Sequence, residues 1–177
     1  MEITDEGINR IPVVGSSVLS NVHWAKMRDE HRKLLISVRG LLIGTERIRA
    51  FDMSMAQIGE SLGLPGDNSV SIKDFEKHHI LIHNHADSSP ISFSDFESFV
   101  KRPNTLSIQA VGHDGSVSVL EKRPSYDAAG AIHRYIDALG QVKDLLARRA
   151  DNNEIIETIG QFLRSITKNG FAYWRWV

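Results

Sequence analysis

Residues 79–85 read His79-Ile80-Leu81-Ile82-His83-Asn84-His85, an apolar run that ends in two histidines one residue apart. Successive side chains of a strand point to opposite faces, so His79, Leu81, His83 and His85 share one face while Ile80, Ile82 and Asn84 share the other. A strand apolar on both faces belongs inside a sheet that is covered on both sides, which predicts an α/β fold. Its end is also a rigid place from which to present two imidazoles to a metal. Beyond the polar loop Ala86-Asp87-Ser88-Ser89-Pro90, Phe96, Phe99 and Val100 trace a helical apolar face, which puts Asp95 in the first turn of a helix with Ser92 just before it. Two neutral imidazoles and one carboxylate, His83, His85 and Asp95, with a fourth position left for water, make the donor set of a catalytic rather than a structural zinc site. A plainer reading uses the same residues. Ser92 with Asp95, or Ser94 with Glu97, is an ordinary helix N-terminus, and paired histidines also occur as polar ends of strands.

On the N-terminal side, Ser20 can cap a helix over residues 21–39, because Trp24, Met27, Leu34, Leu35 and Val38 recur at helical spacing and Gly40 follows. Strand signals then occupy the stretch from Leu41 to Glu121: Arg47 to Phe51, Gln57 to Gly59, Val70 to Ile72 and Ile80 to Ile82. Near its end Leu106 to Val111 and Ser116 to Leu120 alternate on either side of Gly112-His113-Asp114-Gly115, which predicts a β-hairpin. The rest is helical. Ile132, Tyr135, Ile136, Leu139, Val142, Leu145 and Leu146 trace one face of a first helix, and Ile155, Ile159, Phe162, Leu163 and Ile166 that of a second, capped by Asp151 with Glu154 and stopped at Asn169-Gly170. The two should pair as a hairpin. The aromatic tail Phe171-Ala172-Tyr173-Trp174-Arg175-Trp176-Val177 suits an edge strand or an anchor on those helices. We therefore expect a single domain over 1–177, with a mixed sheet flanked by helices at 20–122 and a C-terminal helical extension at 123–177.

The chain has 177 residues, of which 41% are hydrophobic and 24% charged, enough for one substantial core and no sign of disorder. Lysine plus arginine (21) balances aspartate plus glutamate (22), so no general field favours nucleic acid or an anionic membrane. The absence of cysteine excludes disulfides, thiolate ligands and a cysteine nucleophile. No run approaches the length needed to span a bilayer, and the acidic Glu2-Ile3-Thr4-Asp5-Glu6 is unlike a signal peptide, so the expected location is the cytoplasm.

His83-Asn84-His85 followed by Ser92-Phe93-Ser94-Asp95 resembles the His-x-His and Ser-x-x-Asp signature of the JAB/MPN (JAMM) metalloproteases, most closely their bacterial and phage branch of RadC-like proteins. The resemblance covers roughly residues 37 to 121. It implies a cytidine-deaminase-like mixed sheet, a zinc ion on His83, His85 and Asp95, Ser92 beside the ligands or the oxyanion, a glutamate as general base, and hydrolysis of amide or isopeptide bonds in a protein or peptide. Two registers compete for the glutamate. Glu46 opens the strand at Arg47; alternatively, Ser37-Val38-Arg39-Gly40-Leu41-Leu42-Ile43-Gly44 aligns with the family's Glu-x-x-Gly-x-Leu-x-Gly element and puts Ser37 where the base belongs. Serine cannot deprotonate a zinc-bound water near neutral pH, so that register implies a catalytically silent binding module. Glu46 is favoured, because the serine register would cut short the helix whose stripe runs through Val38. Two departures concern loop rigidity: Ala86 stands where the family has proline, and nine residues rather than ten separate His85 from Asp95.

Other constellations are weaker. Asp87 is a conceivable substitute ligand. His78 beside Lys77 reads as solvated rather than as a proton shuttle, His113 as a turn residue, and His23, His31 and His133 as helical positions without an evident partner. A contiguous His-Asn-His is no support for an HNH nuclease, whose motif residues are widely separated. No Gly-x-Ser-x-Gly elbow is present for a serine hydrolase.

Overall fold

A computed structural model describes residues 1–170 and 172–177, with the side chains of Asn152 and Tyr173 left out, so the Phe171 end of the aromatic tail lies outside the described residues. The helices are α1 (Asp5–Arg10), α2 (Trp24–Val38, after a 3₁₀ turn Asn21–His23), α3 (Phe93–Lys101), α4 (Ala128–Ala147) and α5 (Asn152–Lys168). The strands are β1 (Arg47–Asp52), β2 (Gln57–Leu62), β3 (His79–His85), β4 (Thr105–Gly112), β5 (Val117–Glu121) and β6 (Tyr173–Trp176). They form one six-stranded sheet in the order β2-β1-β3-β4-β5-β6, antiparallel except for the central β3–β4 pair. The fold is mixed α/β.

Every residue of β3 is buried, because the two faces of the sheet are covered by different helices. Ile80 and Ile82 pack with Leu34, Leu35 and Val38 of α2 and Ile8 of α1. Leu81 packs on the other face with Phe96 and Phe99 of α3, Ala131 and Ala138 of α4, and Phe162, Leu163 and Ile166 of α5. The strand's alternation thus sends His83 and His85 to the α3 face and Asn84 to the α2 face. Between β4 and β5 the predicted hairpin is present, with Gly115 at φ 91°, a conformation that suits glycine. β6 pairs with β5 as an edge strand, and Trp174 donates its indole N–H to Ser118 Oγ at 2.9 Å.

Several local expectations need correction. Val70 to Ile72 is not a strand: it crosses the α3 face of the sheet, where the Arg102 guanidinium donates to the Ile72 carbonyl at 2.7 Å in place of a ladder partner. Ser20 precedes the 3₁₀ turn and makes no side-chain cap. On α4 the inward face is Ala131, Tyr135, Ala138 and Val142, while Ile132, Ile136 and Leu146 are exposed. Ala131 and Ala138 sit where α4 packs on α3 and α5, and the larger residues are left on the outer side. α1, capped by Thr4, is a six-residue helix that apolar periodicity could not reveal. Among the described residues, no helix is long and apolar enough to cross a membrane.

Candidate metal centre

β3 ends where α3 begins to cover it, and three side chains meet at that junction. His83 Nε2 lies 3.1 Å from Asp95 Oδ1, His85 Nε2 lies 3.3 Å from Asp95 Oδ2, and the two Nε2 atoms are 2.9 Å apart. His83 is 2% exposed and His85 6%. Among the described residues these three form the one cluster whose donor atoms could hold a metal ion, all within 4.8 Å of one another. The donor set fits zinc: ligands about 2.05 Å from a tetrahedral ion stand roughly 3.3 Å from each other, close to the separations seen here.

Ser92 shows why α3 starts where it does. Its hydroxyl accepts from the Asp95 N–H at 3.1 Å, and its own N–H and O–H donate to Asp95 Oδ2 at 2.8 and 2.7 Å, a reciprocal capping box. The plain helix-start reading and the ligand reading thus describe one carboxylate, since Asp95 caps α3 and faces both histidines. The Ser92 hydroxyl proton is directed at Asp95, so in this structure its work is to hold that carboxylate. His85 is held from behind, its Nδ1 donating to the Ser89 carbonyl at 3.0 Å, which leaves Nε2 to face the cluster. His83 Nδ1 is buried without a partner, so the protein does not fix the tautomer of this ring from behind.

The charges are strongly coupled. For Asp95, burial opposes ionisation, but both histidines overcome it and hold the carboxyl well below its usual range. For His85, burial disfavours the charged ring; the hydrogen bond and charge of Asp95, the charge of Glu46 and the Ser89 carbonyl outweigh it and push the pKa up to about 9. The cluster therefore calls for a positive charge, which a proton on His85 or a cation can supply.

Glu46 enters the same space by register. Ile48 pairs with His83 across β1 and β3, and continuing that register two residues puts Glu46 opposite His85 on the same face. It is 7% exposed, and burial raises its pKa against the opposing effect of His83 and His85. A cleft of about 620 Å³ is lined by Glu46, His83, His85, Ser92 and Asp95. Its floor is Ile48, Leu81 and Ile108, and its walls are residues 68–72 and the Ser94, Ser98 and Arg102 side of α3. Ser37 does not line this cleft; it sits in α2 and donates to the Leu34 carbonyl at 2.7 Å. Asp87 lines the cleft outside the three-residue cluster and accepts from the Ser89 N–H at 3.0 Å.

Among the other histidines, His78 is exposed and His79 is tied to the Lys77 carbonyl and to Thr105 Oγ1, each at 2.8 Å. His31 has a partner that sequence reading missed, Gln109, with Nε2 2.7 Å from Oε1. His113 occupies the hairpin turn as expected, but it is buried and contacts Asn84. No family model, curated protein or solved structure matches this chain.

Proposed function

We propose that this protein is a zinc-dependent hydrolase of amide or isopeptide bonds, of the JAB/MPN type, acting on a protein or peptide. The observation that carries the reading is the convergence of His83, His85 and Asp95 at the wall of a cleft that also holds the buried carboxylate of Glu46. The two imidazoles and Asp95 would hold the ion. Zinc so held supplies Lewis acidity, polarising a carbonyl and acidifying water.

The remaining work falls to the chain. Glu46, with its raised pKa, is suited to take a proton from water in the cleft and return it to the leaving amine. Ser92 fixes the Asp95 carboxylate through two donated hydrogen bonds, which keeps both oxygens turned to the histidines. Ile48, Leu81 and Ile108 give the cleft an apolar floor that strengthens these charge interactions, and Ser69, Ser71, Ser94 and Ser98 on its walls can bond the peptide groups of an extended substrate.

Metal analysis of the purified protein is the first test. One zinc per chain, or its uptake at micromolar concentration, is expected; a chain that neither carries nor binds zinc removes the mechanism. Glu46→Gln should then retain zinc and abolish peptide or isopeptide hydrolysis. If it changes nothing measurable, the site is that of a metal-binding interaction module rather than an enzyme.

A further inference from the structure

Asn84, the middle residue of His83-Asn84-His85, faces away from the candidate metal centre and is fully buried. Its side-chain amide is nevertheless bonded to the main chain on either side of Glu46. The Arg47 N–H donates to Asn84 Oδ1 at 2.7 Å, and Asn84 Nδ2 donates to the Thr45 carbonyl at 3.1 Å. These are the two peptide groups that flank Glu46, so one amide grips the chain immediately before and after that residue. The β1–β3 ladder does not do this work, because its first pair is Ile48 with His83, and on the other side Arg47 is paired only with Leu62 of β2. Otherwise the main chain of Glu46 is tied by its carbonyl, which accepts from the Gly63 N–H at 2.8 Å.

The amide's orientation is itself set. His113 Nδ1 donates to the Met1 carbonyl at 2.7 Å, so its Nε2 carries the lone pair and faces Asn84 Nδ2 at 3.3 Å. Turned over, the amide would put its oxygen against the lone pair of His113 and the carbonyl of Thr45. Strand alternation supplies the rest: with Thr45 and Arg47 bound on the α2 side, the intervening side chain projects to the face of His83 and His85.

We infer that Asn84 is a positioning residue: it couples the strand that carries the two histidines to the main chain of Glu46, and so fixes where that carboxylate stands relative to the His83–His85–Asp95 cluster. The value of such placement rests on the hydrolase reading above, whereas the coupling itself is a property of the fold.

The experiment uses the full chain with Asn84→Ala and Asn84→Asp, and cobalt(II) as the probe. Removing a buried acceptor should speed hydrogen exchange at the Arg47 amide about tenfold or more in Asn84→Ala. Asn84→Asp keeps the acceptor but sets an oxygen against the Thr45 carbonyl, so its Arg47 exchange should stay within about threefold of wild type. Cobalt affinity should change less than about threefold in both, since the ligands lie on the other face. The cobalt-induced NMR shifts of the Glu46 side chain should fall by about half or more in both variants, while those of His83 and His85 persist. A merely structural asparagine would leave the Glu46 shifts in place, and that result overturns the inference. So does unchanged Arg47 exchange in Asn84→Ala. If the alanine variant does not fold, the aspartate variant carries the cobalt measurement alone. Should the wild-type chain take up no cobalt or zinc, the hydrolase reading fails, and Arg47 exchange alone decides the coupling.

Discussion

Raising the pH through the neutral range should tighten zinc binding, because His85 must lose a proton before it can be a ligand. In the metal-free protein its pKa is pushed up to about 9. Two units below that, at pH 7, only about 1% of molecules hold the ring neutral. The apparent zinc affinity at pH 7 should therefore lie about 100-fold below its value above pH 9, rising about tenfold per unit between pH 7 and 8.5. Each zinc bound at pH 7 should release about one proton. That proton comes from Nε2, since Nδ1 is engaged with the Ser89 carbonyl. Calorimetric titrations at pH 6.5, 7.5 and 8.5, each in two buffers of different ionisation enthalpy and against a competing chelator, measure both the slope and the proton count. A flat affinity with a proton count near zero would refute the reasoning. The same linkage has a definite sign for stability. His85 titrates higher in the folded chain than in the unfolded one, so its contribution is fully present below about pH 6.5 and is lost as the pH rises through about 9. The loss is on the order of 3 kcal/mol in the metal-free protein, and it should vanish when zinc keeps the ring neutral throughout.

Three further outcomes can be measured with single variants. Asp95→Asn should lower zinc affinity by more than about 100-fold and cost about 1 kcal/mol in chemical denaturation at pH 7, because the carboxylate that caps the helix is also the proposed ligand. Wild-type Asp95, held far below its usual pKa, contributes its stability above about pH 4 and loses it on acidification, so the acid limb of the stability profile should flatten in this variant. Glu46→Gln should raise the thermal midpoint of the metal-free protein at pH 7, since burial disfavours the ionised form of Glu46 in the folded state; a lowered midpoint would contradict that electrostatic assignment. Phe96→Ala should cost about 3–5 kcal/mol, because Phe96 is fully buried with its ring 4.8 Å from that of Phe162, and it seats the helix that carries Asp95.

Where the sequence was readable, one period dominated. β3 was legible as a short run apolar on both faces, and the later hairpin as alternation around an Asp-Gly turn, because both signals are contained within a few residues. Two features misled. The stripe assigned to α4 took the largest residues as the inward ones, but packing on α3 and α5 puts Ala131 and Ala138 inside and leaves Ile136 outside. The segment from Val70 to Ile72 has strand composition, yet a side chain far away in sequence, Arg102, satisfies one of its carbonyls. Contacts of that kind leave no local signal. His31 is a similar case: its partner Gln109 is on β4, and neither residue announces the other.

The placement of Glu46 and Ser37 follows from how far α2 runs before the chain turns. In the sequence the choice of Glu46 rests on the helical stripe through Val38, which the serine register would cut short. α2 continues to Val38, and the turn through Gly40 and Gly44, at φ 82° and 90°, carries the chain to Arg47 before β1 can pair. Ladder geometry then leaves little freedom: with Ile48 opposite His83, Glu46 falls opposite His85, and Ser37 is left within the helix on the other side of the sheet. A carboxylate two residues before a paired isoleucine is thereby aligned with the strand of His83 and His85 by the same hydrogen bonds that build the sheet. Only the last step, from Ile48 back to Glu46, lies beyond the β1–β3 ladder, and on that side Asn84 spans the gap.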